Sequence, residues 1–381
     1  MTADPTQAMR RCLAEDLTRR GIIGPEWRAA VERVPRHLLA PFFHHRQGDE
    51  DGRDSFLFVD GSRPEQRQRY LELVHSADET LVTEIDGNTG YPTSSSTMPS
   101  IVLAMLQALD VRPAQAVLEI GTGSGYGTAL LCERLGEENV TSVDVGPDVV
   151  ELARRRLGEA GYRPALVCGD GFHGHPSRAP YDRVISTCKA GRIPRAWVEQ
   201  AQTGGVILAV LPDCLVRLVA ADDGSASGHL TSHEFGFMWM RGHSPVRSPI
   251  DHLVHGDGPA RPCEVDIWTL LEGRANGAFW PLSQLIHAPF LQRVRAAPRQ
   301  LAYVDMDDRS WCRLDIDSRH VTQGGPRRLW DAFEALYHQL DEAGRPSRER
   351  FGMTVHPDGS SVIWLDQPEP GHVWAVLEPG L

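Results

Sequence analysis

The strongest chemical signal in the chain lies between Val117 and Asp144. The segment VLEIGTGSGYGTALL reads as a short apolar strand, a turn carrying Gly121, Gly123 and Gly125, and a helix. Glycines in such a turn permit tight bending and let a ligand approach the backbone. A glycine turn also serves dinucleotides, but here the third glycine follows the second by two positions, and Tyr126 stands where that fingerprint wants glycine. Glu119, at the strand end, can face the amino group of a cationic ligand. Asp144, about twenty residues on at the end of the next strand, can accept from both ribose hydroxyls. Asp170, in Cys168-Gly169-Asp170-Gly171-Phe172, can hydrogen-bond an adenine amino group, with Gly171 allowing access. Thr122 and Val145 sit beside these groups. An adenosine part and an amino-acid part would share one crevice at the carboxyl ends of the strands. The plainer alternatives are a tight turn without a ligand and aspartates that only cap turns.

Holding such a crevice requires parallel strands. From 116 to 211 the sequence alternates: strands at Ala116 to Ile120, Val140 to Val145, Ala165 to Cys168, Tyr181 to Thr187 and Gly205 to Leu211, with helices at Gly127 to Leu135, Asp148 to Ala160 and Arg195 to Gln202. The expected fold class is α/β, a doubly wound, mostly parallel, Rossmann-like sheet with a smaller α+β C-terminal domain. Helices are expected over residues 6–43, a polar loop with one apolar island (Phe56 to Val59) over 44–69, a strand around Leu81-Val82-Thr83, a small-polar loop from Gly87 to Pro99, and a helix from Ser100 to Leu109. Leu215 to Ala220 and His233 to Met240 read as a strand pair. After Gly242 a linker-like stretch (243–262) leads to further strands (Val265 to Leu270, Leu301 to Val304, Trp311 to Ile316), an amphipathic helix from about Pro326 to Ala343, and a hairpin joining Phe351 to Val355 with Val362 to Leu365. The expected division is 1–90 as a helical, substrate-side region, 91–242 as the donor-binding core, and 243–381 as a C-terminal extension for peptide recognition.

The 381 residues carry a formal charge of −12, which argues weakly against nucleic acid as a partner. No apolar run is long enough to span a bilayer, and the charged N-terminus carries no apolar signal region, so no membrane partner and a cytoplasmic location are expected. Seven cysteines are scattered without a CxxC pair, which points to free thiols and no metal. Arg154, Arg155 and Arg156 read as a solvated helix face, and Arg327 with Arg328 as surface charge in an unfavourable first helical turn.

Taken together, the chain resembles the protein L-isoaspartyl (D-aspartyl) O-methyltransferases. VLEIGTGSGYGTA, SVDV, GY, GDGFHG, APYDRVIST, the IP of GRIP and the GG of QTGGVILAVL fall in that family's order and spacing, and RRGII with ERVPRHLLAPFF matches at the front. The likeness covers residues 8–242, with a divergent stretch between 44 and 90. It implies a class I methyltransferase using S-adenosyl-L-methionine, with S-adenosyl-L-homocysteine as product, and a peptide substrate on a monomer or homodimer. The family's acceptor-side serine falls on Thr97 by gap-free alignment from Gly121, with Pro99 matching the family's proline. Thr97 is then the catalytic, acceptor-orienting residue, with Ser95 and Ser96 beside it. Thr187 and Lys189, in Ser186-Thr187-Cys188-Lys189-Ala190, depart from the family's small apolar residues and are candidate substrate contacts; Lys189 reads equally as a surface lysine.

The region after Gly242 looks like that of actinobacterial homologues that tailor ribosomally made peptides such as lanthipeptides. This resemblance implies methylation of an aspartate in a modified precursor peptide, leading through a succinimide to isoaspartate. The alternatives are protein repair at isoaspartyl residues and a non-catalytic peptide-binding module. Transfer from a sulfonium to an ionised carboxylate needs no general base, so catalysis is expected from positioning and removal of water.

Overall fold

A computed structural model describes residues 6–48, 54–232, 236–243, 254, 258–265, 277–294, 297, 299–368 and 371–377. It divides into two compact units: residues 1–188 with 196–208, and residues 189–195 with 209–381.

The first unit opens with α1 (Gln7–Arg19), α2 (Pro25–Arg33) and the one-turn α3 (Arg36–Leu39). Each of the first two shows its apolar face to the interior: Leu13, Ala14 and Leu17 are buried on α1, and Trp27, Ala30 and Val31 on α2. The stretch expected as a polar loop is a hairpin, β1 (Phe42–Gly48) against β2 (Asp54–Asp60), followed by α4 (Arg67–Val74). Polar side chains outnumber apolar ones on β1, and pairing plus two inward residues, Phe43 and Val59, hold the hairpin to a cluster with Tyr70, Val74 and Leu81. Next come β3 (Leu81–Ile85) and β4 (Pro92–Ser96), completing an antiparallel sheet of order β2-β1-β3-β4. β4 corrects the expected loop at 87–99: a serine tract lacks strand propensity, but pairing with β3 makes it an edge strand. Alternation then buries Ser94 and Ser96 on one face and leaves Ser95 half-buried on the other.

α5 (Pro99–Leu109), started by Pro99 at its first position, leads into the alternating region. It comprises β5 (Val117–Ile120), α6 (Tyr126–Leu135), β6 (Val140–Asp144), α7 (Pro147–Glu159), β7 (Ala165–Cys168), β8 (Tyr181–Lys189), α8 (Arg195–Gln200) and β9 (Ala201–Leu211). The strand order is β9-β8-β5-β6-β7, and β5 runs parallel to both β6 and β8. β5 is buried at every position, as a strand covered on both faces must be. Order reverses between β5 and β8, which opens a crevice at their carboxyl ends.

The second unit contains β10 (Cys214–Ala220) and β11 (Ala226–Leu230). β10 therefore pairs with β11 rather than with the expected His233 to Met240. The turn closed by Ala221 N–H to the Ser225 carbonyl, 2.8 Å, returns the chain at once, so Ala220 faces Ala226. Then follow β12 (Arg261–Pro262), α9 (Phe279–His287), β13 (Leu291–Val294), β14 (Gln300–Asp305), β15 (Trp311–Asp315), β16 (His320–Gly324), α10 (Leu329–Glu342), β17 (Phe351–Val355), β18 (Ser361–Leu365) and β19 (Val373–Ala375). Two antiparallel arrays result, β10-β11-β17-β18-β19 and β12-β16-β15-β14-β13. Phe279 meets Phe333 edge-on at 6.4 Å where α9 packs on α10. The α+β character, the long helix and the final hairpin follow the sequence expectations. Residues 233–235, 266–270 with Trp268, and most of the 243–262 linker lie outside the described residues. Among the described residues no helix is long and apolar enough to cross a membrane.

Two arginine groups differ from the surface reading. Arg156 is buried and donates to the Leu39 carbonyl at 3.0 Å, whereas Arg154 stays exposed beside Glu151. Arg327 binds Asp305, Asp308 and the His287 carbonyl, so it ties the second unit together; Arg328 is half-exposed beside Asp331.

Candidate functional site

Four strand ends of the first unit bring the chemistry together. After β5 the chain turns through Gly121, Gly123 and Gly125 at φ of 101°, 51° and 83°, a region that side chains disfavour. Space requires glycine as well: a Cβ on Gly121 would lie 2.6 Å from Thr187 Oγ1, and one on Gly123 would lie 2.8 Å from the Ser95 carbonyl oxygen. The turn is therefore clasped between the end of β8 and the edge strand β4.

Asp144, at the end of β6, accepts from Gly123 N–H at 3.1 Å and from Gly146 N–H at 3.0 Å. It fixes the glycine turn and presents its carboxylate at the strand end. Val145 follows, 39% exposed, and supplies an apolar surface there. Asp170, after β7, caps a single 3-10 turn by accepting from Phe172 N–H at 2.9 Å. Gly171 is buried, and a Cβ there would meet Ile120 Cγ2 at 2.5 Å. The Trp197 indole N–H holds its carbonyl at 2.8 Å.

Glu119 differs from its expected open position. It is 2% exposed, beneath the turn, and one carboxylate oxygen accepts from Thr128 Oγ1 at 2.5 Å and Ser142 Oγ at 2.7 Å. Thr122 Oγ1 joins the same chain at 2.7 Å from Ser142 Oγ. Burial pushes the Glu119 carboxyl up to about 7 against those two hydroxyl donors, with the nearby Asp144 charge adding to the rise.

On the acceptor side, Thr97 is half-buried, and its hydroxyl has no hydrogen-bond partner among the described residues. Ser95 stands on the face of β4 whose carbonyl abuts Gly123. Ser96, expected at the substrate, is buried, and its hydroxyl accepts from Arg36 Nε at 3.1 Å. The alternation of β4 turns it inward. Thr187 Oγ1 donates to the Gly121 carbonyl at 2.7 Å and the Ile120 carbonyl at 3.1 Å, which makes it a brace of the glycine turn. Lys189 belongs to the second unit. Its ammonium lies 3.8 Å from Asp213 and 5.2 Å from the centre of the Trp239 ring, so it is neither a bare surface lysine nor an unanswered charge.

Sequence reasoning missed Arg36, Thr128 and Ser142. The two hydroxyls are legible only as β-branched or small residues near the turn, and Arg36 looks like one more helix-surface charge.

The donor set suits an adenosyl sulfonium amino acid. Backbone can approach a ligand at the turn, and carboxylates stand at the end of β6 and after β7. Among the described residues no group of three or more His, Cys, Asp or Glu side chains is arranged to hold a metal.

Comparison with known proteins agrees with this geometry. The family described as protein-L-isoaspartate(D-aspartate) O-methyltransferase matches residues 63–213. The protein-L-isoaspartate O-methyltransferase of Methanoculleus marisnigri is 33% identical over 225 residues, 58% of this chain and 86% of that one. That of Hyperthermus butylicus is 32% identical over 215 residues, 54% and 75% of the two chains. A solved structure named protein-L-isoaspartate O-methyltransferase superposes with a TM-score of 0.57 at 20% identity, covering 94% of this chain and all of that one. The likeness in fold therefore runs well past Gly242.

Proposed function

Since the chain belongs to the protein-L-isoaspartate O-methyltransferase family, we propose that it esterifies the free carboxylate of an isoaspartyl residue in a peptide or protein. The chain is an S-adenosyl-L-methionine-dependent carboxyl O-methyltransferase, and S-adenosyl-L-homocysteine is the product left by the donor. The bound donor supplies an electrophilic methyl group. The rest is work of the protein's own residues. The turn at Gly121 to Gly125, braced by Asp144 and Thr187, fixes where the donor lies. Thr97 donates its hydroxyl to one oxygen of the acceptor carboxylate and leaves the other to attack in line. The acceptor is ionised near neutral pH, so no proton has to be removed from it.

The observation that carries this reading is the Thr97 hydroxyl, half-buried and without a hydrogen-bond partner among the described residues, one position past β4, the strand whose Ser95 carbonyl oxygen would lie 2.8 Å from a Cβ on Gly123.

The test is a pair of matched peptides, one isoaspartyl and one aspartyl, incubated with enzyme and donor and followed by mass spectrometry. Methyl addition to the isoaspartyl peptide alone is expected. The second reading is methylation of an aspartate in a modified, ribosomally made precursor peptide. It drew on the region after Gly242, and a fold likeness across that region weakens the reason for setting this chain apart. What still favours it is Thr97 in place of serine. Methylation of an aspartyl macrocycle with none of the isoaspartyl peptide would replace the first reading by the second.

A further inference from the structure

Arg36 is 1% exposed and makes five hydrogen bonds from a buried position. Its Nε donates to Ser96 Oγ at 3.1 Å, one terminal nitrogen to the Val74 carbonyl at 3.2 Å, and the other to the carbonyls of Glu79 at 3.0 Å, Ser96 at 3.0 Å and Thr97 at 3.2 Å. The guanidinium also lies over the Tyr126 ring, 5.4 Å from its centre. Among the described residues no carboxylate forms an ion pair with it.

Burying a cation among neutral acceptors is expensive, and a hydrophobic side chain of similar volume would serve stability as well. The geometry of the contacts suggests why the cation is there. Tyr126 begins α6 immediately after Gly125, so one side of Arg36 faces the residue that follows the glycine turn. Ser96 ends β4 and Thr97 follows it, so the other side holds the end of the strand that carries the proposed acceptor residue. The planar, forked guanidinium is suited to fixing several acceptors in one orientation.

We propose that Arg36 is a positioning residue that spans the two halves of the site and sets the Thr97 hydroxyl against the methyl donor. This rests on the acceptor role given to Thr97 above. A displacement of about 1 Å between reacting groups costs up to roughly 100-fold in rate, so a rigid strut here acts on turnover more than on donor affinity. Glu79 and His45, the neighbouring titratable pair at 3.2 Å, engage one another through their side chains, and Arg36 meets Glu79 at its backbone.

Arg36→Lys retains the charge and loses the fork. S-adenosylhomocysteine affinity by calorimetry should stay within about twofold, while kcat on an isoaspartyl peptide falls on the order of tenfold or more. The distinguishing measurement is a double-mutant cycle. In a Thr97→Ala background, where the positioned hydroxyl is gone, Arg36→Lys should cost little further kcat. Two losses that multiply overturn the strut while leaving Thr97 in its role. Full turnover of Thr97→Ala alone sinks that role and the strut with it. Should Arg36→Lys fail to fold, Ser96→Ala removes one acceptor of the guanidinium and spares the Thr97 carbonyl. A several-fold fall in kcat at unchanged donor affinity is expected there, and wild-type kcat overturns the proposal.

Discussion

Gly123 donates its backbone N–H to the Asp144 carboxylate at 3.1 Å, across the gap between the first turn and the second strand of the parallel sheet. The same carboxylate shapes the glycine turn and is the group proposed to meet the ribose of the donor. Asp144→Ala removes both functions. S-adenosylhomocysteine should bind roughly 10- to 100-fold more weakly, the cost of losing hydrogen bonds to a charged acceptor. Asp144→Asn, which keeps one oxygen, should fall between the two. Calorimetry on the three proteins checks the order, and equal affinities would remove Asp144 from the ribose role.

Gly123 is fixed from its other side by the Ser95 carbonyl, 2.8 Å from where a Cβ would sit, at φ 51°. Gly123→Ala adds strain of about 1–3 kcal/mol and pushes the turn away from β4. Weaker donor binding and a lower melting temperature are expected together. Gly158→Ala, in α7 where a Cβ would meet nothing within 4 Å, is the control and should leave donor binding unchanged while not lowering the melting temperature.

Glu119 predicts a pH dependence of stability. Its folded carboxyl is pushed up to about 7 from an ordinary 4.5. Between those values the folded chain holds a proton that the unfolded chain has released. The stability this contributes is fully present below about 4.5 and is lost as pH rises through about 7. Glu119→Gln cannot titrate. Relative to the wild type it should gain up to roughly 3 kcal/mol between pH 4 and pH 8. Melting curves at four or five pH values decide it, and a difference that does not change with pH would mean that Glu119 titrates alike in both states.

How far these residues could be read from sequence depends on how local their signals are. The glycine turn, Asp144 and Asp170 were legible because a strand, a positive-φ turn and a helix succeed one another within a few residues, and each leaves a compositional trace. β4 was not legible. Its serines have no apolar alternation, and only pairing with β3 and the Arg36 contact make it a strand. Arg36 left no trace for a related reason: a buried cation is identified by its acceptors, and Val74, Glu79, Ser96 and Thr97 lie 38 to 61 positions away. Ser96 and Thr187 read as substrate contacts in sequence because hydroxyl type is visible there and direction is not. The β10–β11 hairpin was hidden by the weak apolar content of Ala226 to Leu230.

Thr97→Ala should lower turnover on an isoaspartyl peptide by roughly 10- to 100-fold, the range for losing a hydrogen bond to a charged group, with donor affinity unchanged. Thr97→Ser should retain most activity, because the hydroxyl survives. Steady-state kinetics with both variants checks this, and full turnover in Thr97→Ala would remove it from the acceptor site.

The role of the second unit calls for a cut that respects its strands. Ending the chain at Gly242 removes β17, and β17 is the antiparallel partner of β11 through Ala226↔Val355 to His229↔Gly352. It also removes Phe351, Met353 and Val355, all fully buried. The remaining β10–β11 hairpin would present an unpaired edge, and such edges aggregate. A chain ending at Gly242 should therefore give little soluble protein and a much lower melting temperature, whatever its substrate preference. Ending instead at Gln367 keeps the β17–β18 hairpin and loses β19, whose Val373 and Ala375 are exposed, together with buried Val376 and the Leu377 N–H bond to the Leu285 carbonyl. That shorter cut should fold, bind S-adenosylhomocysteine as the full chain does, and lose stability through one short edge strand, the Trp374 bond to Gln339 and the burial of Val376. Wild-type melting and turnover after the cut at Gly242 would mean that β11 does not need β17, and that the part of the second unit after Gly242 is dispensable for both fold and methyl transfer.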